Sequence, residues 1–284
     1  MEERRTEGPR CHEPRGVVTD ARRIAFINEK GGSCKTTLAS SIGDYLARKR
    51  GKRVLLVDLD PQGQLGKVLG VDVGAARRTA LDLLLDTLLG EGSRPALPIQ
   101  RARHPFLDIV PSNKSLALFN HEVAVHGGDE NYCLRSALAR VPAYDFILFD
   151  APPSFGTITL NVLLAANEIV LPVPLTYLAL DGAAEMTRTV EMVRTRFSHP
   201  GLAISLVVPT FARNTRMASE ILEKLRDHFP KQIAQTVLGY SVLVDEAQSR
   251  AKTIFEYAPR STAARWMAAV ADELVEREPA RSGR

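Results

Sequence analysis

The residues best equipped for chemistry stand where an apolar run gives way to Asn28-Glu29-Lys30-Gly31-Gly32-Ser33-Cys34-Lys35-Thr36-Thr37. Two lysines, two adjacent glycines and several hydroxyls at this spacing suit the capture of an oligophosphate. Gly31 and Gly32 let the backbone approach an anion closely. If a helix opens near residue 35, its free N–H groups and dipole favour negative charge, with Ser33, Cys34 and Thr37 part of the same cradle. Lys35 then sits on the β- and γ-phosphates of a nucleotide, and the Thr36 hydroxyl ligates Mg²⁺. The ordinary pattern GxxxxGK[ST] asks for Gly at positions 29 and 34, where this chain has Glu29 and Cys34.

Two other stretches bring carboxylates. Val57-Asp58-Leu59-Asp60-Pro61-Gln62-Gly63 closes an apolar run with acids at i and i+2, which share a face of an extended chain. Phe146-Ile147-Leu148-Phe149-Asp150 closes another run on a single acid, suited to holding Mg²⁺ through water. Carboxylates at the C-terminal ends of sheet strands point at the ligand crevice.

The elements that must position these groups are legible from periodicity. Residues 24–27, 54–57, 107–110, 146–149, 169–173 and 204–208 are short, largely apolar runs, as strands buried on both faces require. Between them lie helical faces: Leu38, Ile42, Tyr45 and Leu46; Met186, Val190, Val193 and Phe197; Met217, Ile221, Leu225 and Phe229; Trp266, Met267, Val270 and Leu274. The alternation predicts an α/β fold, a doubly wound, mostly parallel sheet flanked by helices. Residues 1–22 read as a disordered tail of near-balanced charge, 23–278 as one domain, 279–284 as a frayed end, and 90–105 as a loop.

Composition narrows the class. The chain has 284 residues, 45% hydrophobic and 25% charged, the balance of a soluble globular protein. Residues 162–180 are the most apolar stretch, but Glu168, Pro172 and Pro174 interrupt it, which argues against a membrane span. The N-terminus has no apolar core of a secretion signal, so a cytoplasmic location is expected. Cys11, Cys34 and Cys133 form no CxxC pair and fit a reducing compartment. The net charge of +4 permits an anionic partner without demanding one.

The segment Lys30–Thr37 resembles the deviant phosphate loop KGGxGK[ST]T of the ParA/MinD family of P-loop ATPases. The acids match that family's DxDPQG; Asp150-Ala151-Pro152-Pro153 matches its DxPP, and residues 171–182 and 241–261 resemble two later family segments. The resemblance spans about residues 23–276. It implies an enzyme that hydrolyses ATP to ADP and phosphate, with ATP and Mg²⁺ as cofactors. It implies that Lys30 reaches across a homodimer interface to the partner's phosphates, that Asp60 orients the attacking water, and that Asp58 supports the Mg²⁺ shell or Lys35. The base is expected near Pro209 and Thr210. Family members carry Gly where Cys34 stands. A side chain there costs on the order of 1–2 kcal/mol if φ is positive. A thiol at a helix N-terminus is also expected to have a lowered pKa. The substitution is read as harmless rather than regulatory.

The resemblance further implies nonspecific DNA binding in the ATP state, association with the nucleoid, and hydrolysis stimulated by a ParB-like or other partner, so that DNA or protein cargo is moved. Arg213, Arg216, Arg250 and Lys252 are the candidate DNA contacts, joined by Lys224, Arg226 and Arg260; residues 213–265 hold nine Lys or Arg against six Asp or Glu. The C-terminus lacks the terminal apolar face with flanking basic residues of a MinD-like membrane anchor, so no membrane partner is expected. Paired cysteines and a terminal tyrosine cluster are missing, which sets aside iron–sulfur and tyrosine-kinase relatives. The contrasting reading is a non-enzymatic or very slow nucleotide switch.

Overall fold

The computed structural model describes residues 21–88, 95–126 and 130–277. Residues 1–20 of the expected tail 1–22, the expected frayed end 279–284, and the 90–94 part of the expected loop lie outside the described residues.

In chain order the elements are β1 (Arg22–Phe26), α1 (Lys35–Arg50), β2 (Val54–Asp58), α2 (Gln64–Val68), α3 (Ala80–Leu88), β3 (Gln100–Arg101) and β4 (Leu107–Val110). There follow α4 (Phe119–His126), α5 (Cys133–Ala137), β5 (Phe146–Asp150), α6 (Thr157–Ala165), β6 (Glu168–Pro174), α7 (Ala179–Arg196) and β7 (Ala203–Thr210). The C-terminal part holds α8 (Arg216–His228), α9 (Val242–Ser249), α10 (Ile254–Tyr257) and α11 (Thr262–Glu276). The sheet order is β3-β4-β2-β5-β1-β6-β7. All pairings are parallel except β3 with β4. The six expected strands are present and the sheet is doubly wound, as the alternation of runs required. The short β3 falls inside the expected loop; its pairing with β4 is a long-range contact that two polar residues do not announce.

The continuous apolar strands work because both faces are covered. Ile24, Phe26, Val54, Leu56, Phe146 and Leu148 point into a core shared with α1 and α11. Their neighbours Ala25, Ile27, Leu55, Val57, Ile147 and Phe149 point into a second core under α3 and α5–α8. Period-2 geometry thus sends alternate residues of each run to opposite cores. One expected helix contact fails: Met217 is 49% exposed, while Ala218, Ile221 and Leu225 carry the inner face of α8. Thr215 caps that helix, so Met217 falls in its first turn on the solvent side. Cys34 is a free thiol, and no described helix is long and apolar enough to cross a membrane.

This topology places the chemistry. β1 lies between β5 and β6, yet the chain leaves β1 for β2 on one side and reaches β6 on the other. A crevice opens at such a switch point, outside the C-terminal ends of the strands. The segments after β1, β2, β5 and β6 all emerge at that edge.

Candidate active site

The loop after β1 is pinned before it turns. Asn28 Nδ2 donates to Pro172 O of β6 at 2.7 Å, and its Oδ1 accepts from Lys30 N at 2.8 Å. Gly32 (φ 68°) and Cys34 (φ 75°) are both left-handed, the kind of backbone that turns successive N–H groups into an anion-binding hollow. A Cβ added at Gly31 or Gly32 would meet nothing within 4 Å, so open space lies over the loop. Cys34 is the N-cap of α1 and offers no side-chain cap, and the first turn of α1 holds no acid. The first N–H groups of that 16-residue helix are thus left for an anion.

Lys35 is buried, and its Nζ donates to Asn28 O at 3.0 Å and Lys30 O at 3.3 Å. Burial lowers its pKa, against the opposing fields of Asp150 and Asp60. Thr36 Oγ1 donates to Asp150 Oδ2 at 2.6 Å. Asp150 Oδ1 and Ser33 Oγ are buried with no hydrogen-bond partner among the described residues. An orphaned carboxylate oxygen beside a threonine hydroxyl, at the foot of an open phosphate loop, fits a hydrated Mg²⁺. Among the described residues no three His, Cys, Asp or Glu side chains cluster as a cation cage, so phosphate and water oxygens must complete such a shell.

Asp58 and Asp150 stand opposite each other in the β2–β5 register. Burial raises the pKa of Asp150 to about 7, and that of Asp58 well above the carboxylate range, with the Asp150 charge adding to the latter. The extended backbone of β2 ends at Asp58, and a bend begins at Asp60. Asp58 is fully buried, and its two oxygens accept from Asp60 N (3.1 Å) and Gly66 N (3.3 Å). Asp58 therefore holds the turn that carries Asp60. Asp60, half-buried, lines the cleft.

The cleft measures about 380 Å³. One wall is the loop from Gly31 to Thr37; the other comes from Phe211, Leu238–Ser241 and α9. Pro209 and Thr210, the expected base site, do not line it. Thr210 is fully buried, and the two carbonyls accept from Leu238 N and Leu175 N. They anchor the cleft wall rather than form it. Cys34 departs from expectation too: burial, then the Asp245 charge, pushes its thiol up to about 12 instead of down. Lys30 points the other way from Lys35, exposed, with Nζ donating to Thr176 Oγ1 at 3.0 Å. Arg213, Arg216, Arg250 and Lys252 are all exposed, outside the cleft. Arg216 is paired with Glu220 at 2.8 Å, and Arg250 lies 5.2 Å from the Tyr257 ring centre.

The sequence matches a family model described as an AAA domain over residues 21–204. It is 38% identical over 258 residues to the chromosome-partitioning ATPase Soj of Thermus thermophilus, covering 90% of this chain and 96% of that protein. The chain belongs to the ParA/Soj family of P-loop ATPases. It is also 35% identical over 257 residues to the cell division protein PomZ of Myxococcus xanthus, covering 90% of this chain and 78% of that one. A solved structure of cobyrinic acid a,c-diamide synthase from Mycobacterium smegmatis, with bound ATP analogue and magnesium, matches with TM-score 0.75 and 29% identity over 90% of this chain and 94% of that one.

As a ParA/Soj ATPase the chain has site residues that motif reading passed over. Asn28 fixes the phosphate loop, and Tyr240, Asp245 and Gln248 form the far wall. Asn28 precedes the first lysine and could have been noticed. Asp245 and Gln248 fall within the 241–261 segment that resembles the family, but their place opposite the phosphate loop comes only from the placement of α9 against α1.

Proposed function

We propose that ATP with Mg²⁺ fills this cleft and that two copies then close face to face, with Lys30 of each completing the other's site. The closed dimer binds DNA nonspecifically, and a ParB-like or other partner protein stimulates hydrolysis and releases it. DNA or protein cargo is thereby segregated or positioned over the nucleoid.

The observation that carries this reading is the divergence of the two lysines. Lys35 turns into its own loop, while Lys30 stands on the outer rim against Thr176. A lysine serving only its own phosphates has no reason to face outward. Around it the rim is apolar: Tyr177 is 82% exposed and Leu178 55%, and Phe155 projects from the neighbouring β5–α6 loop. A second copy would cover these residues. Thr36 and Asp150 would hold Mg²⁺, which when bound neutralises charge on the β- and γ-phosphate oxygens. Lys35 balances the remaining phosphate charge. Asp60, fixed from behind by Asp58, holds water in line with the γ-phosphorus. The water oxygen bonds to phosphorus, the bond to the β-phosphate oxygen breaks, and ADP and phosphate leave.

The exposed cations would neutralise DNA phosphates, and binding then weakens steeply with salt. A membrane-bound mode finds no support in α11, whose apolar residues Met267, Val270, Ala271 and Leu274 are buried in the core.

The test is Lys30→Ala. Light scattering should find the wild type dimeric with ATP and Mg²⁺ and the variant monomeric. Calorimetry should still detect ATP on the variant, and DNA retention should be lost with the dimer. A variant that dimerises normally refutes the cross-subunit role. Steady-state phosphate release, with and without DNA, separates this cycle from a non-enzymatic switch.

A further inference from the structure

The wall facing the phosphate loop carries a carboxylate that the hydrolytic scheme does not use. Asp245, in the first turn of α9, lines the cleft with Tyr240, Val244 and Gln248. The Tyr240 hydroxyl donates to Asp245 Oδ2 at 2.6 Å, which fixes the side chain and leaves Oδ1 with no hydrogen bond to a described residue. Gln248, nearly one turn further along α9, donates from Nε2 to Thr37 Oγ1 at 2.9 Å. This face of α9 is therefore tied to the start of α1, and the Asp245 charge is felt at Cys34 on the loop.

A carboxylate only accepts hydrogen bonds. Phosphates are acceptors as well, so Asp245 is badly matched to the charged part of a nucleotide. It suits the donors a nucleotide offers, namely the two ribose hydroxyls and the exocyclic amine of adenine. The surroundings of Asp245 decide between them. Gln248 ties this face of α9 to Thr37, two residues past the lysine that suits the β- and γ-phosphates. The same cleft is lined by Leu238, Met267 and Phe211, apolar side chains that suit a base and leave the acid to the sugar. At Gly239 an added Cβ would come within 2.7 Å of the Trp266 ring, so that stretch must stay without a side chain.

We infer that Asp245 accepts a hydrogen bond from the ribose and makes the site select ribonucleotides over deoxyribonucleotides. The inference rests on the ATP reading above. The plain alternative is an acid that complements the dipole of α9, which would affect stability and leave sugar preference alone.

Calorimetry with ADP, 2′-deoxy-ADP and 3′-deoxy-ADP in Mg²⁺ distinguishes them without turnover. The wild type should bind ADP about tenfold more tightly than at least one deoxy form, the low end for a charge-assisted bond at an exposed group. Asp245→Ala should bind all three alike. Asp245→Asn, the same shape without the charge, should show a reduced ratio and serves if the alanine variant folds poorly. An unchanged ratio in both variants overturns the inference. So does a change confined to ADP against N6,N6-dimethyl-ADP, which would move the contact to the base. A wild type that binds no adenine nucleotide at all would instead overturn the ATPase reading beneath it.

Discussion

Gly63 offers a measurement in which one backbone position reports on the whole loop that carries Asp60. It caps α2 at φ 61°, and its N–H donates to Asp60 O at 3.0 Å. A Cβ there would fall 2.4 Å from the carbonyl oxygen of Ser112. Gly51, the C-cap of α1, has the same φ of 61° with nothing within 4 Å of its added Cβ. The two glycines therefore separate conformational strain from collision. Gly51→Ala incurs the left-handed strain alone, about 1 kcal/mol. Gly63→Ala incurs the same strain and must also displace backbone, which adds about 1–3 kcal/mol. Urea unfolding of the nucleotide-free protein should place Gly63→Ala well below Gly51→Ala, with unchanged slope. Because the collision pushes the loop that holds Asp60, phosphate release should fall about 10- to 100-fold in Gly63→Ala. Gly51→Ala should keep the wild-type rate. Equal destabilisation of the two variants, or full turnover in Gly63→Ala, would rule out a collision at Ser112 that reaches Asp60.

The paired acids should make the nucleotide-free protein less stable as pH rises. Their folded pKa values lie above the unfolded ones, with Asp150 at about 7, so the fold keeps protons that the unfolded chain has released. The Asp150 share of the penalty is absent below about pH 4, grows from there, and levels off above about pH 7, while the Asp58 share grows until its own raised folded pKa is passed. Asp58→Asn should gain stability relative to wild type between pH 5 and 8 in urea titrations; parallel curves would count against the pairing. Cys34 should react slowly with iodoacetamide at neutral pH, because a thiol pushed up to about 12 is almost wholly protonated. Phosphate release should likewise survive a thiol-specific oxidant, and rapid inactivation traced to Cys34 would contradict this.

Much of the site was legible because its signals are local. The spacing of Lys30, Gly31, Gly32, Lys35 and Thr36 marks a phosphate loop wherever strand and helix flank it, and unbroken apolar runs mark strands buried on both sides. An acid ending such a run lands at the crevice edge, which places Asp150 before any coordinates are known. Other features depended on distant contacts. The pairing of Asp58 with Asp150 comes from the adjacency of β2 and β5, strands that are far apart in the chain. The Cys34 thiol was expected to be acidic from its helix terminus. The packing of α9 beside it partly buries the thiol and sets Asp245 nearby, and desolvation outweighs the dipole. The far cleft wall of Tyr240, Asp245 and Gln248 could not be assigned to the site from the family-like segment 241–261 alone, because those side chains meet the loop only after the sheet has brought β7 and α9 round to α1. Which groups could hold phosphate, and where strands and helices run, follow from the order of residues alone, since periodicity and turn chemistry act between near neighbours. Which buried charges share an environment, and what lies across the cleft, emerge only from the folded packing, since burial and electrostatic fields are set by residues remote in the chain.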